Sequence, residues 1–272
     1  MDRRLTPMAD GIALRLVEGK VAADQFVAGD AGTICVSVTD LCAKPAGARD
    51  RQLLLGDAVT VVHHRDDWAF LQADKDGYCG WVRRDAIGPA TEVTHWVSSV
   101  ASHVYSGPKV QAPELMTLSM GARVKVLGMQ GAFAETPLGF VPRVHLRQLD
   151  DRPDDPVKVA EMFLNTPYLW GGNSSAGLDC SGLVQLSYHA CGLTCPGDSD
   201  LQQVIGHALS DDALFQRGDL VFWKGHVALV VDENRLIHAN GYSMSVMYEG
   251  ISDCVARISA EGGGGVTARR RP

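Results

Sequence analysis

The chain has 272 residues, 46% of them hydrophobic and 21% charged, which is the composition of a globular protein long enough for two or three domains. Its net charge of −7 argues against nucleic acid or an anionic membrane as partner. Seven cysteines, an odd number at irregular spacings, fit a reducing compartment better than a disulfide framework.

Residues 1–30 form a lead-in. Arg3 and Arg4 precede no apolar run, and Asp10, Arg15, Glu18 and Lys20 interrupt the first twenty residues, so neither a secretory signal nor a membrane span is expected. The expected location is therefore cytoplasmic. Ile12–Val17 and Ala22–Val27 suggest a short helix packed on the next domain.

Residues 31–90 read as a small β domain. Apolar runs at 32–38, 58–62, 68–71 and 78–82 alternate with turn signals at 44–47, 64–67 and 74–77. A second copy spans 91–149. Leu55-Gly-Asp-Ala-Val-Thr-Val61 aligns with Met120-Gly-Ala-Arg-Val-Lys-Val126, Phe70 with Phe133, and Gly80-Trp-Val82 with Gly139-Phe-Val141. Two units of this size fit small barrels better than a solenoid. With the Trp68 strand and Asp76-Gly-Tyr-Cys-Gly-Trp-Val82, they resemble bacterial SH3-like domains. Trp81, Trp96 and Phe133 are expected in the barrel cores.

Residues 150–272 form the last domain. A charged, proline-bearing linker, 150–156, leads into an amphipathic helix over 157–164. A turn-rich segment, 167–177, then precedes Asp179-Cys180. Leu183, Val184 and Leu186 fall at helical spacing, with Gly192 placed as the stop. Asp179 is the expected cap, and Cys180 stands at the helix N-terminus, where free N–H groups favour a thiolate. By itself this cysteine is either a nucleophile or a small buried hydrophobe.

Past Gly218 the pattern turns to strands at 219–223, 226–231 and 236–240. With 232–234 as a three-residue loop, Val231 pairs with Arg235, and His238 falls diagonal to His226 on one face. A one-residue slip would separate the histidines. Val266–Arg270 is expected as an edge strand with its arginines in solvent, the alternative being a basic tail.

Tyr168-Leu-Trp-Gly-Gly, Asp179-Cys-Ser-Gly182, Gly218-Asp-Leu-Val-Phe222, Gly225-His-Val-Ala-Leu229 and Leu236-Ile-His-Ala239 together resemble the NlpC family of cell-wall cysteine peptidases, over 157 to about 260. The resemblance implies an α+β chain in which a papain-like domain follows two SH3-like barrels. It implies Cys180 as nucleophile, His226 as base and His238 as the residue that orients it. The backbone N–H of Cys180, with Tyr168, would hold the oxyanion, and Asp179, Ser181 and Ser199 would meet substrate. Ser199 is otherwise a helix cap. Gly197 stands where the family carries an arginine, which puts that arginine's role in doubt.

No cofactor or metal is implied; His189, Cys191 and Cys195 lack a fourth ligand at suitable spacing. The other six histidines lack a partner motif.

The chain also resembles γ-D-glutamyl-L-diamino-acid endopeptidases of the dipeptidyl-peptidase VI type. These act on murein-derived peptides, L-Ala-γ-D-Glu-diamino acid, in wall recycling. That type also implies that an acidic residue and a tyrosine of the first barrel hold the free amino group of L-Ala. Asp57 and Tyr78 match by motif, with Asp57 shorter than the usual glutamate; the alternative is an exposed turn aspartate and a rim tyrosine. Two rival functions are an amidase or acyltransferase on another acyl substrate, and a non-enzymatic protein that binds wall fragments.

Overall fold

The computed structural model describes residues 1–272, which divide into two compact units, Met1–Asp151 and Arg152–Pro272. Strands dominate both, and no helix is long and apolar enough to cross a membrane.

The lead-in is not a helix. Met8–Ala9, Ile12–Leu14 and Gln25–Val27 form a three-stranded sheet, with only a 3-10 turn at Arg15–Val17. The cause is local. Asp10 and Gly11 both adopt positive φ, 49° and 77°, and close a two-residue hairpin in which Ala9 pairs with Ile12. An Asp-Gly pair is among the strongest hairpin signals, because the tight turn that matches strand twist needs positive φ at both positions.

The first β domain is a seven-stranded sheet. Its order is Ile87–Pro89, Asp30–Ile34, Ala58–Arg65, Trp68–Ala73, Cys79–Arg83, Val38–Cys42, Arg49–Leu54. Ile34, Leu41, Leu53, Val59, Val61, Leu71 and Val82 fill its core. Each buried aliphatic side chain contributes roughly 1.5–3 kcal/mol.

The second is built from a five-stranded sheet, Glu114–Ser119, Ala101–Tyr105, Gly139–Pro142, Phe133–Thr136, Gly128–Gln130, and a three-stranded one through His95–Val97. Trp81, Trp96 and Phe133 are all buried.

The repeat is real in register but offset at one anchor. Val82 pairs with Ala69, and its counterpart Val141 pairs with Ala134. The residues just before these alanines are Trp68 and Phe133, so Phe133 is the equivalent of Trp68 and not of Phe70. A 3-10 turn comes after each hairpin, at Arg84–Ala86 and Arg143–His145.

The second unit places four helices around a six-stranded antiparallel sheet. The helices are α1 (Pro156–Glu161), α2 (Cys180–Ala190), α3 (Ser199–Gln202) and α4 (Ile251–Ala260). The strand order is His207–Ala208, Ala268–Arg271, Leu220–Trp223, His226–Val230, Arg235–Asn240, Ser245–Gly250. Asp155 caps α1 through the N–H groups of Val157 and Lys158, with Pro156 in the first turn. α2 packs on the central strands His226–Val230 and Arg235–Asn240.

The C-terminal strand is not an edge. Ala268–Arg271 lies between His207–Ala208 and Leu220–Trp223, and its arginines are partly covered. Arg271 makes a bidentate pair with the buried Asp219, both contacts at 2.8 Å. Such a pair is charge-assisted and geometrically specific, which holds the strand inside the sheet.

Candidate active site

The site grows from the start of α2. Asp179 caps it, accepting hydrogen bonds from the Gly182 N–H at 2.6 Å and the Ser181 hydroxyl at 2.9 Å. The other carboxylate oxygen accepts from the Gly171 N–H at 3.0 Å. One side chain therefore ties the helix to the turn-rich segment before it. Gly192, at φ 74°, comes directly after the C-cap residue Cys191, as the spacing predicts.

Gly182 is required by close approach. A Cβ there would lie 2.1 Å from the Gly172 carbonyl oxygen, a backbone atom that cannot swing aside. Gly182→Ala is expected to lower stability by about 1–3 kcal/mol, through displacement of the segment packed on α2. Thermal unfolding of the purified variant checks this; an unchanged midpoint contradicts it.

Cys180 is buried, with its thiol directed at the Gly225 carbonyl, 4.0 Å away. Burial, and then the Asp179 charge, push this thiol up to about 12; the N–H groups of Val227, Ser181 and Cys180 itself act in the opposite direction but do not prevail. The resting group is thus a thiol and not the thiolate expected from the helix terminus alone. Desolvation outweighs the helix N–H groups.

The hairpin that supplies the histidines has the register derived from its loop. Leu229 pairs with Ile237, Val230 with Leu236, and the Val231 N–H reaches the Arg235 carbonyl at 2.9 Å. His226 Nε2 lies 2.8 Å from His238 Nδ1. That leaves Nδ1 of His226 as the nitrogen not committed to His238. Burial first, then His238 and Arg257, push His226 down to about 3. Both catalytic candidates are therefore neutral at rest, and an imidazole can take a thiol proton only as the thiol reacts.

Tyr168 is half-buried, and burial first, then the charge of Asp179, keeps its hydroxyl protonated well above the usual phenol range. It is a hydrogen-bond donor at any working pH. Ser181 donates to Asp179 and, through its carbonyl, accepts from Gln202 Nε2 at 2.9 Å. Ser199 is buried at the first position of α3, one residue after Asp198, which stands at the cap position without a side-chain cap hydrogen bond.

Asp57 and Tyr78 are placed differently from the expectation. The Asp57 carboxylate is 3% exposed, accepts from the Leu54 N–H at 2.9 Å and pairs with Lys75 Nζ at 2.6 Å. Tyr78 is 2% exposed and belongs to the core of the first β domain, with Arg51 over its ring. Both are buried, so neither is the exposed or rim residue of the alternative reading.

A further group at the site is Glu249. Its carboxylate lies 3.0 Å from His238 Nε2 and takes a bidentate contact from Arg257, at 2.8 and 2.7 Å. The signal that finds it is register: His238 pairs with Met247 and Leu236 with Glu249, which makes His238 and Glu249 diagonal neighbours.

The α+β architecture with a cysteine on a helix N-terminus packed on a histidine-bearing sheet defines a papain-like cysteine peptidase. Residues 165–256 match the NlpC/P60 family, and residues 41–87 match the bacterial dipeptidyl-peptidase SH3 domain. The chain is accordingly a cysteine peptidase that carries an NlpC/P60 domain behind a bacterial SH3 domain.

A γ-D-glutamyl-L-lysine dipeptidyl-peptidase of Bacillus cereus is 29% identical over 235 residues, 74% of this chain and 70% of that one. Dipeptidyl-peptidase 6 of Lysinibacillus sphaericus is 26% identical, over 70% of this chain and 79% of its own. Among solved structures, an NlpC/P60 family protein from Bacillus cereus superposes with a TM-score of 0.74 at 23% identity, covering 89% of this chain and 99% of that one, which is a likeness of fold.

Proposed function

We propose that the protein hydrolyses the bond between γ-D-Glu and the diamino acid of murein peptides that carry a free N-terminal L-Ala, in cytoplasmic recycling of those peptides. The observation that carries this reading is the His226–His238 pair at 2.8 Å on the sheet packed by the Cys180 helix. The names of the relatives supply the substrate class.

In the reaction, Cys180 Sγ bonds to the γ-carbonyl carbon while His226 Nδ1 takes the thiol proton. The oxyanion is held by the Cys180 N–H and the protonated Tyr168 hydroxyl. His226 then gives its proton to the leaving amine of the diamino acid, and the C–N bond breaks to leave a thioester. Water, deprotonated by His226, adds to the thioester carbonyl; expulsion of the thiolate, which recovers its proton, releases the dipeptide. Asp179, Ser181 and Ser199 are assigned the polar lining of the substrate path.

A dipeptidyl-peptidase counts its cut from a free N-terminus, so the amino group of L-Ala must be recognised. The Asp179 carboxylate, beside the nucleophile, is one group that can accept from that ammonium. Losing one charge-assisted hydrogen bond to an ammonium costs on the order of 1.5–3 kcal/mol, about ten- to a hundredfold in rate. Cleavage of L-Ala-γ-D-Glu-L-Lys is therefore expected to exceed that of its N-acetyl form by about that factor. Equal rates on the two peptides would refute the free-terminus requirement.

A further inference from the structure

His238 has two polar neighbours at its Nε2, and they ask for opposite tautomers. Glu249 Oε2 lies 3.0 Å away and is an acceptor only. Asn240 Nδ2 lies 2.9 Å away and is a donor. The amide of Asn240 cannot turn over to offer its oxygen, because that oxygen already accepts from the N–H and the hydroxyl of Ser243, at 2.7 and 3.0 Å.

The choice matters for the neighbouring histidine. If His238 carries its proton on Nδ1, it donates to His226 Nε2. Neutral His226 must then be protonated on Nδ1 and has no lone pair there for the thiol. If His238 carries its proton on Nε2, its Nδ1 accepts from His226 Nε2–H. The lone pair of His226 then sits on Nδ1, free to take a proton. Only the second arrangement makes His226 a base at the nitrogen not committed to His238.

We infer that Glu249 is a positioning residue of this peptidase: it holds His238 in the Nε2–H tautomer and so sets the direction of the proton chain through His226. A carboxylate outcompetes a neutral amide for that edge, because a hydrogen bond to an ionised acceptor is about twice as strong as a neutral one. Arg257 keeps Glu249 ionised and aimed; the hydrogen bonds from its guanidinium are the largest cause holding the Glu249 carboxyl well below the usual carboxylate range. That guanidinium also lies over the Tyr242 ring, its Cζ 4.8 Å from the ring centroid.

His238, Glu249 and Cys254 also offer donor atoms within 4.8 Å of one another, the geometry of a metal cluster. Arg257 occupies it, with Nη2 bonded to Glu249 and 3.8 Å from Cys254 Sγ, so the cluster is organised around the protein's own cation.

The inference rests on His226 as the base, and its test separates the two ideas. Long-range proton–nitrogen correlation spectra of protein labelled with 15N-histidine report the His238 tautomer without any substrate. The wild type is expected to show His238 protonated at Nε2, and Glu249→Ala to shift it to the Nδ1–H form that Asn240 favours. In turnover, Glu249→Ala should lower kcat by at least about tenfold with KM little changed, since loss of an orienting carboxylate impairs the base and not binding. Glu249→Asp should recover part of the loss. A wild-type His238 in the Nδ1–H form overturns the inference whatever the variants do. So does a folded Glu249→Ala protein with unchanged tautomer and kcat. Failure of the wild type to cleave murein peptides would instead count against the proposed function, and leave the tautomer result standing.

Discussion

Cys180→Ala is expected to reduce kcat/KM by about 10^4-fold or more while leaving the protein folded. Removing a nucleophile eliminates the covalent route, and the residual rate comes from binding and oxyanion contacts alone. The fold should tolerate the change, because the hydrogen bond that the thiol donates is a long one, to the Gly225 carbonyl at 4.0 Å. Asp179, not Cys180, carries the cap of α2. Residual activity above a small fraction in clean protein would remove Cys180 from this role. Circular dichroism and thermal unfolding on the same preparation separate lost chemistry from lost structure.

His226→Ala should lower kcat by about 10^2- to 10^4-fold, the range of a general base. The resting state makes this dependence steep. The Cys180 thiol is pushed up to about 12 and His226 down to about 3, so neither group is ionised near neutrality. Thiol reactivity at neutral pH then needs the imidazole at the moment of attack. Alkylation of Cys180 by iodoacetamide should accordingly slow in the His226→Ala protein. The double variant with Cys180→Ala should be no worse than Cys180→Ala alone, since the two groups act as one unit. Equal alkylation rates with and without His226 would contradict that coupling.

Much of the site could be read from sequence because its geometry is local. The cap at Asp179, the stop at Gly192 and the three-residue loop 232–234 each depend on a few neighbouring residues. The loop fixes the register that brings His226 and His238 together.

The features that stayed hidden depend on non-local pairing. Ser245–Gly250 carries no clean alternation, so nothing in the sequence marks it as a strand or puts Glu249 beside His238. Asp57 looks like a free turn carboxylate until Lys75, 18 residues on, is seen against it. Arg49–Leu54 begins with charged residues and pairs with Val38–Cys42 through Asp40, which engages Arg49 and Gln52. The Arg-rich C-terminal strand is drawn inside the sheet by Asp219, a partner 52 residues away. The lead-in hairpin is a different case. Its Asp10-Gly11 signal is in the sequence, but the apolar segments around it suggest a helix more strongly.

The most direct measurement is mass spectrometry of the products formed from L-Ala-γ-D-Glu-L-Lys-D-Ala and its diaminopimelate counterpart. The account predicts two products from each, the dipeptide L-Ala-D-Glu and the diamino acid joined to D-Ala, with no other bond cut and none formed by the Cys180→Ala protein. Cleavage between L-Ala and D-Glu, cleavage before the terminal D-Ala, or recovery of both peptides intact would contradict it.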